Sequence, residues 1–425
     1  MPALESAIQR DFAVEVVRRL HAAGHEAYWA GGCVRDRLMG HEPKDYDVAT
    51  SARPEQVRDL FGHRRTLAIG AAFGVICVLG PPHAGQVEAT TFRTDAAYSD
   101  GRRPDAVHFS TAEEDAQRRD FTINGLFYDP LHDRLLDYVG GVEDLQRQVI
   151  RAIRNPHERF QEDKLRMLRA VRFAATFQFA LEQETFVAVK AMAGEVTVVS
   201  VERIAEELRR MLEHRHRAVA AGLLRESGLL AAILPEAIPL AQLPSPLHTT
   251  ATDAWDYTLQ VLAALESPDF PLALAALLHG LGNSGDLAHT IGRRLKLAVK
   301  EIERTAWLLE NMYALEQAKD VPWPRLQRLL IHEGALDLIH FHLARAEAGA
   351  AKRTDADHCR ELLQLPPEQL DPPPLLTGDD LILHGIPRGK EYKTLLDAIR
   401  DAQLEEAIHT REEALKLIDV LRGKA

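Results

Sequence analysis

The opening of the chain, MPALESAIQRDFAVEVVRRL, repeats apolar positions every three to four residues and predicts an amphipathic helix over roughly residues 1–24. The pattern then shortens. AYWAGGCVRDRLMG (27–40) reads as a short strand, a glycine turn and a helix beginning at Val34. YDVAT (46–50) is strand-like, and SARPEQVRDLF carries a Ser/Pro helix start. AFGVICVLG and QVEATTFRT cluster or alternate β-branched residues and predict two strands. YSDGRRPDAVHF is rich in turn formers and charge and predicts a loop. The first ~140 residues are therefore mixed α/β by this periodicity. From Val142 onward the pattern is helical, beginning with DLQRQVIRAIRNPHERFQEDKLRMLRAVRFAATFQF and continuing through VERIAEELRRMLEH, LALAALLHGL and EALKLIDVL. LPSP and LQLPPEQLDPPPL interrupt it and read as connectors.

Composition narrows the picture. With 425 residues the chain has room for more than one domain. No apolar run reaches the ~20 residues that a bilayer span needs. The N-terminal stretch carries acids and lacks a cleavable apolar centre, so it is not read as a signal peptide. Cys33, Cys77 and Cys359 are far apart and form no C-x-x-C, which fits a reducing, cytoplasmic setting. The net charge of −12 argues against a broad electrostatic grip on nucleic acid. It leaves room for a local basic groove, because screening confines each charge to ~8 Å at physiological salt.

Two clusters carry chemistry. Asp45 and Asp47 are spaced so that a strand would present both carboxylates on one face. Facing carboxylates repel, and a divalent cation relieves that repulsion; Mg²⁺ takes oxygen ligands of this kind together with substrate phosphates. Gly31 and Gly32 lie just upstream, where the backbone can approach a phosphate at a helix start, with Arg35 and Asp36 following. A lone D-x-D is usually a solvated strand edge, and a lone Gly-Gly a turn. Their combination points to a triphosphate beside a metal pair. The second cluster is RRDFTING, in which two arginines and an aspartate abut an apolar run.

GGCVRDRLMGHEPKDYDVAT resembles the nucleotidyltransferase signature of the class II tRNA nucleotidyltransferase and bacterial poly(A) polymerase family. RRDFTING resembles its second motif, QEDKLRMLRAVRF its base-selecting helix, and VERIAEELRRML the motif after that. The resemblance weakens toward LLTGDDLILHGIPRGKEYKTLLDAI. It implies an α+β architecture: a catalytic head (1–140), a helical neck holding the base-selecting helix (141–240), a helical body (241–365) and a helical tail that contacts RNA (366–425).

The resemblance also implies roles. Asp45 and Asp47 would hold Mg²⁺, and Glu88 is the candidate third carboxylate, with a strand residue paired to Arg93 as its plain structural alternative. Arg119 would meet phosphate as a planar donor fork, and Asp120 would accept a ribose hydroxyl or orient the arginine. The competing reading is a buried Arg–Asp pair joining two elements. Asn124 is expected to stitch backbone, and Gly125 replaces the alanine common in the family. Asp163, Arg166, Arg169 and Arg172 recur every three residues on what reads as one helix. Cytosine and adenine both show an exocyclic amino donor beside a ring-nitrogen acceptor. A carboxylate accepts from the first and a guanidinium donates to the second. Asp163 with Arg166 would thus select C and A and reject U and G, with Arg169 and Arg172 nearer phosphate or RNA. Glu158 and Glu162 offer the plain alternative, an ion-paired helix face. Lys164 stands where the family often has proline.

PLHTTATDAWDYTLQVLAAL and LALAALLHGLGN resemble an HD-type phosphohydrolase domain that has lost its metal site. His279 is followed by Gly280, and Tyr257 stands where a histidine is expected, so His248 and His279 are read as packing or capping residues. The favoured function is addition or repair of the 3′ CCA of tRNA from CTP and ATP. An A-adding specialist, a poly(A) polymerase and a non-catalytic RNA-binding relative are the alternatives. The polymerase is disfavoured because IGAAFGVICV (69–78) stands in place of an arginine-rich segment. The sequence gives no oligomeric state.

Overall fold

The computed structural model describes residues 2–70, 73–95 and 107–423. Residues 96–106, which include the whole of YSDGRRPD (98–105), lie outside them. The chain divides into two compact units, Met1–Ile238 and Pro239–Ala425.

The first unit opens with α1 (Pro2–Ala22), β1 (Ala27–Ala30), α2 (Gly32–Leu38), β2 (Asp47–Thr50) and α3 (Pro54–Phe61). Strands β3 (Thr66–Gly70), β4 (Val75–Leu79) and β5 (Gln86–Thr91) follow, then the short pair β6 (Arg93–Asp95) and β7 (Val107–Phe109). After α4 (Ala112–Gln117) come β8 (Leu126–Asp129) and β9 (Arg134–Asp137). Seven strands make one mixed sheet in the order β3-β4-β5-β2-β1-β8-β9. Only β2 and β5 pair in parallel there, and their register sets Asp47 opposite Glu88. The interior strand β1 is buried along its whole length, which explains why AYWA shows no alternation. One sheet face is covered by apolar residues that include Val16, Leu20, Val34, Val57 and Phe61. Tyr28, Ala49, Phe92, Ala116 and Phe127 pack together in a second cluster.

Helices α5 (Gly141–Gln146), α6 (Pro156–Glu162), α7 (Leu165–Phe177), α8 (Gln183–Met192), α9 (Val201–Leu212), α10 (Arg217–Glu226) and α11 (Leu229–Ile233) complete the first unit. Three expectations are corrected here. The stretch after Val142 is not wholly helical: β10 (Val149–Ile150) and β11 (Ala180–Leu181) form a small parallel pair. The expected continuous helix through QEDKLRMLRAVRF is two helices, because Asp163 is extended at φ −143, ψ 104 and ends α6. The helix after the glycine turn also starts at Gly32, two residues earlier than expected.

The second unit is helical. Its first part runs α12 (Ala254–Ala264), α13 (Phe270–Leu278), α14 (Gly285–Arg294), α15 (Val299–Asn311), α16 (Trp323–Leu330), α17 (Ala335–Glu347) and α18 (Arg353–Leu362). The sequence FPLALAALL makes α13 apolar all round, and every residue of it is buried. The proline connector holds the short α19 (Pro367–Leu370), followed by α20 (Gly378–Leu383), α21 (Glu391–Leu404) and α22 (Arg411–Leu421). Leu381, Ile386, Leu395, Ile399 and Ile418 give these last helices their own apolar cluster. Among the described residues no helix is long and apolar enough to cross a membrane.

His279 is buried in the turn after α13, with its ring edge-on to Tyr257 and to Phe341, and Nδ1 2.7 Å from the Ala276 carbonyl. Burial, in the company of the Arg345 cation, pushes its imidazole down to about 4. His342, on α17, reaches the Lys352 carbonyl at 3.0 Å.

Candidate active site

The site is built in the first unit around a concave space of about 610 Å³, a size suited to a nucleotide. One wall is the sheet. Gly31 follows β1 and caps α2 with φ 70 and ψ −123, a conformation that only glycine adopts without strain. A Cβ there would stand 2.8 Å from the Arg119 guanidinium and would push it aside. Gly32 opens α2 beside it, and both line the space.

Asp47 and Glu88 face this space from neighbouring parallel strands. Burial pushes the Asp47 carboxyl up to about 6, Glu88 repels it further, and Arg119 offsets part of the penalty. Asp45 departs from the expected strand geometry. β2 begins only at Asp47, and Asp45 sits exposed on the preceding bend, outside the lining of the space but near enough to raise the Asp47 carboxyl. Among the described residues no group of three metal-binding side chains closes on a point. The fit to a divalent cation rests on the chemistry of the donors: carboxylate oxygens held next to one another against their own repulsion. The plain structural alternative for Glu88 is a pair with Arg93. The Arg93 guanidinium donates to the Phe73 carbonyl, and its backbone N–H donates to Asp115.

RRDFTING is a turn between α4 and β8. Phe121 and Ile123 plug the core with no exposed surface, while the charged residues before them turn to the space. Thr111 and Glu114 cap α4 reciprocally and fix the helix that carries Asp115. The Asp115 carboxylate has no exposed surface and takes Arg118 at 2.7 Å and Arg119 at 3.0 Å. Burial alone would raise this carboxyl; the two arginines outweigh it and hold it below the usual range. Asp115 thus aims Arg119.

Asp120 holds a different arginine from the one expected. Its Oδ2 accepts from Arg169 Nη2 at 2.5 Å and Nε at 2.9 Å, and Oδ1 accepts from the Phe121 N–H and Asn124 Nδ2. Burial would raise the Asp120 carboxyl, but the Arg169 guanidinium and these donors hold it well below the usual carboxylate range. The Arg–Asp pair that joins two elements is therefore present, between the turn and α7. Asn124 corrects the backbone-stitching expectation. Its side chain bridges Arg35, which donates to Oδ1 at 2.6 Å, and Asp120. Arg35 also donates to Asp36 at 2.7 Å and lies 4.5 Å over the Phe177 ring. It lines the space with much of its donor capacity already engaged inside the fold.

The opposite wall is the α6–α7 break with α9. Asp163 does not share a helical face with the arginines that follow, because it lies in the break. Its carboxylate is gripped by Arg203 of α9 at 2.8 and 3.3 Å, and Oδ1 also accepts from the Leu165 N–H at 3.0 Å. Arg166 is buried and donates to Glu162 at 2.7 Å and to the Arg159 carbonyl at 3.0 Å, so the ion-paired alternative holds for this residue in part. Arg159 donates to the Arg119 carbonyl at 2.7 Å and so ties α6 to the RRD turn. Arg172 donates to Glu207 at 2.6 Å, and Arg169 lies 3.9 Å from the same carboxylate. Asp163, Arg166, Arg169 and Arg172 all line the space despite the break.

The residues that sequence reasoning passed over are the supporting ones: Asp115, Arg203, Glu207 and Arg210. A signal existed for the last three. Their spacing of four and three in VERIAEELRR puts them on one face of α9.

Residues 27–151 match the poly A polymerase head domain, and residues 178–240 match a domain described as the probable RNA and SrmB-binding site of polymerase A. A CCA-adding enzyme of Enterococcus faecalis is 40% identical over 265 residues, which span 59% of this chain and 62% of that protein. A CCA-adding enzyme of Lactobacillus helveticus is 33% identical over 416 residues, 95% of each chain. Among solved structures, the Bacillus stearothermophilus CCA-adding enzyme in complex with CTP superimposes with a TM-score of 0.75 at 29% identity, covering 97% of both chains. The Thermotoga maritima CCA-adding enzyme complexed with tRNA shares the fold at a TM-score of 0.65 and 20% identity.

Proposed function

The chain belongs to the family of CCA-adding tRNA nucleotidyltransferases, and from that premise we propose that it builds or repairs the 3′-terminal CCA of tRNA from CTP and ATP without a nucleic-acid template. The observation that carries this reading is the single arginine-rich space that has the Asp47–Glu88 pair on one wall and Asp163 with Arg166 on the other. Relatives of near-complete length with the same name, and solved relatives holding CTP or tRNA, support it. Substrates of this kind fit a cytoplasmic setting.

In this reading the RNA 3′ hydroxyl attacks the α-phosphate of the incoming nucleotide. The new O–P bond forms as the bond to pyrophosphate breaks, and the hydroxyl proton is lost to solvent. Asp45, Asp47 and Glu88 would hold Mg²⁺, which when bound supplies charge neutralisation at the attacking and leaving oxygens. The chain itself does the positioning. The Gly31–Gly32 backbone lets a triphosphate approach closely, Arg119 is presented by Asp115, and Arg169 and Arg172 stand behind them, anchored by Asp120 and Glu207. Asp163 accepts from the amino group of C or A, and Arg166 donates to the ring nitrogen. The proposed division of labour keeps the catalytic head at 1–140, the base-reading neck at 141–240, and the body and tail (241–365, 366–425) for the tRNA.

The test uses purified protein, Mg²⁺ and tRNA transcripts ending before CCA, after C, or after CC, each offered CTP, ATP, both or neither. Extension of all three to CCA and then a stop is expected. Addition of a single A to the CC-ended transcript alone would make the protein an A-adding specialist. Long A tails would make it a poly(A) polymerase. Absence of product would leave an RNA-binding relative. Asp47→Ala is expected to abolish incorporation while RNA binding persists; unchanged incorporation would remove the metal assignment.

A further inference from the structure

Asp163 as a base reader poses a problem of freedom. It lies in a break between two helices, where the Leu165 N–H holds Oδ1 alone of its two oxygens, and the terminal torsion of an aspartate is broad. A carboxylate free to turn accepts from donors in many directions and discriminates poorly. The structure supplies the restraint from a separate helix. Arg203, at the start of α9, donates Nη2 to Oδ2 at 2.8 Å and Nη1 to Oδ1 at 3.3 Å, a two-pronged grip that fixes the carboxylate plane.

The acceptor count makes the consequence specific. An ionised carboxylate offers about four lone-pair sites, two on each oxygen. Oδ1 has both taken, one by Leu165 N–H at 3.0 Å and one by Arg203. Oδ2 has one taken by Arg203. A single acceptor site remains, on Oδ2, and both side chains line the nucleotide-sized space.

We infer that Arg203 is a specificity-determining positioning residue: it leaves Asp163 with one oriented acceptor, matched to one exocyclic amino hydrogen of C or A. This rests on the reading of Asp163 as a base contact. Uracil and guanine present a carbonyl oxygen at the corresponding edge. Against a fixed, ionised Oδ2 they meet acceptor with acceptor. Without Arg203 the carboxylate turns away or recruits water, and that repulsion fades.

The test compares wild type, Arg203→Met, Arg203→Lys and Asp163→Ala with tRNA transcripts lacking CCA. Single-turnover rates are measured for CTP against UTP, and on CC-ended tRNA for ATP against GTP, alongside melting temperatures. Arg203→Met is expected to lower the CTP-over-UTP preference by at least ~10-fold, through a larger fall for CTP than for UTP. Arg203→Lys, whose ammonium lacks the planar fork, is expected to fall between wild type and Arg203→Met, and it carries the comparison alone should Arg203→Met not fold. Equal losses for CTP and UTP would show a merely structural role and overturn the inference, as would an unchanged preference. Failure of the underlying reading looks different: wild type adds neither C nor A, or Asp163→Ala keeps full discrimination.

Discussion

At the scale of single residues, Gly31 shows how a local backbone requirement and a functional side chain share one position. Its φ of 70 with ψ −123 disfavours other residues on conformational grounds, and a Cβ there, 2.8 Å from the Arg119 guanidinium, would displace that side chain. Gly32, one residue later, has ordinary helical backbone and 3.6 Å of room. Gly31→Ala is therefore expected to cost about 1–3 kcal/mol of stability and at least ~10-fold in nucleotide incorporation, because Arg119 must move. Gly32→Ala should stay within about 1 kcal/mol of wild type in denaturant unfolding. Equal stabilities for the two variants would contradict the argument. The Gly-Gly turn and Asp47 on a strand could be read from the sequence because glycine chemistry and strand propensity are local, whereas Glu88 is only a candidate there, since its place opposite Asp47 is set by the β2–β5 pairing. The bend that takes Asp45 off the strand could not be read, since it depends on where β2 begins to pair with β5. Nor could Asp120's choice of Arg169 over Arg119, which is settled by Asp115, a residue that has no exposed surface and carries no motif of its own.

At the scale of elements, the α6–α7 break shows why periodicity misled. Only four polar residues, Gln161 to Lys164, separate Phe160 from Leu165, a gap short enough that pattern alone predicts one helix. Yet Asp163 is extended, as a residue before proline would be, and Lys164 follows with φ −66. The backbone keeps a proline-compatible shape with lysine in the position. Lys164→Pro is accordingly expected to stay within about 1 kcal/mol of wild type, the loss of the Lys164–Glu195 contact being offset by a stiffer unfolded chain. Leu168→Pro, one turn into α7, should cost about 3 kcal/mol or more. Urea unfolding distinguishes the two, and a large loss in Lys164→Pro would show that the break is not a proline-shaped turn.

The His279 turn carries a second prediction at this scale. The ring is buried beside Tyr257 and Phe341 and faces the positive Arg345, so the neutral form is favoured in the fold and its value falls from 6.5 to about 4. The unfolded chain binds the proton first. The contribution to stability is therefore complete above about pH 6.5 and is lost as pH falls toward about 4, amounting to about 3 kcal/mol. Measured as the difference in unfolding free energy between wild type and His279→Leu, the curve should be flat above pH 7 and shift in favour of the leucine variant below it. A flat difference down to pH 4 would refute the assignment. The sequence pointed to His279 as a packing residue through the glycine after it; only the packed rings show how tightly its proton is excluded.

At the scale of the whole molecule, charge is distributed against the sign of the total. The chain carries a net −12, yet the nucleotide-sized space is lined by nine arginines and four carboxylates. Several of those arginines are anchored by carboxylates, so the positive field is local and shaped. A protein that neutralises six to ten RNA phosphates loses about 10³–10⁵ in affinity when salt rises from roughly 50 to 200 mM. Here the acidic remainder opposes contacts away from the basic wall, and screening at ~8 Å keeps the two regions independent. Affinity for tRNA over the same range is therefore expected to fall by no more than about 100-fold, the slope of about four neutralised phosphates. An unstructured RNA of equal length should bind at least ~10-fold more weakly at every salt concentration, since shape rather than total charge would have to supply the remaining affinity. Fluorescence anisotropy across a salt titration measures both quantities. A steeper slope shared by both RNAs would mean that the molecule grips phosphate broadly, which its charge balance argues against.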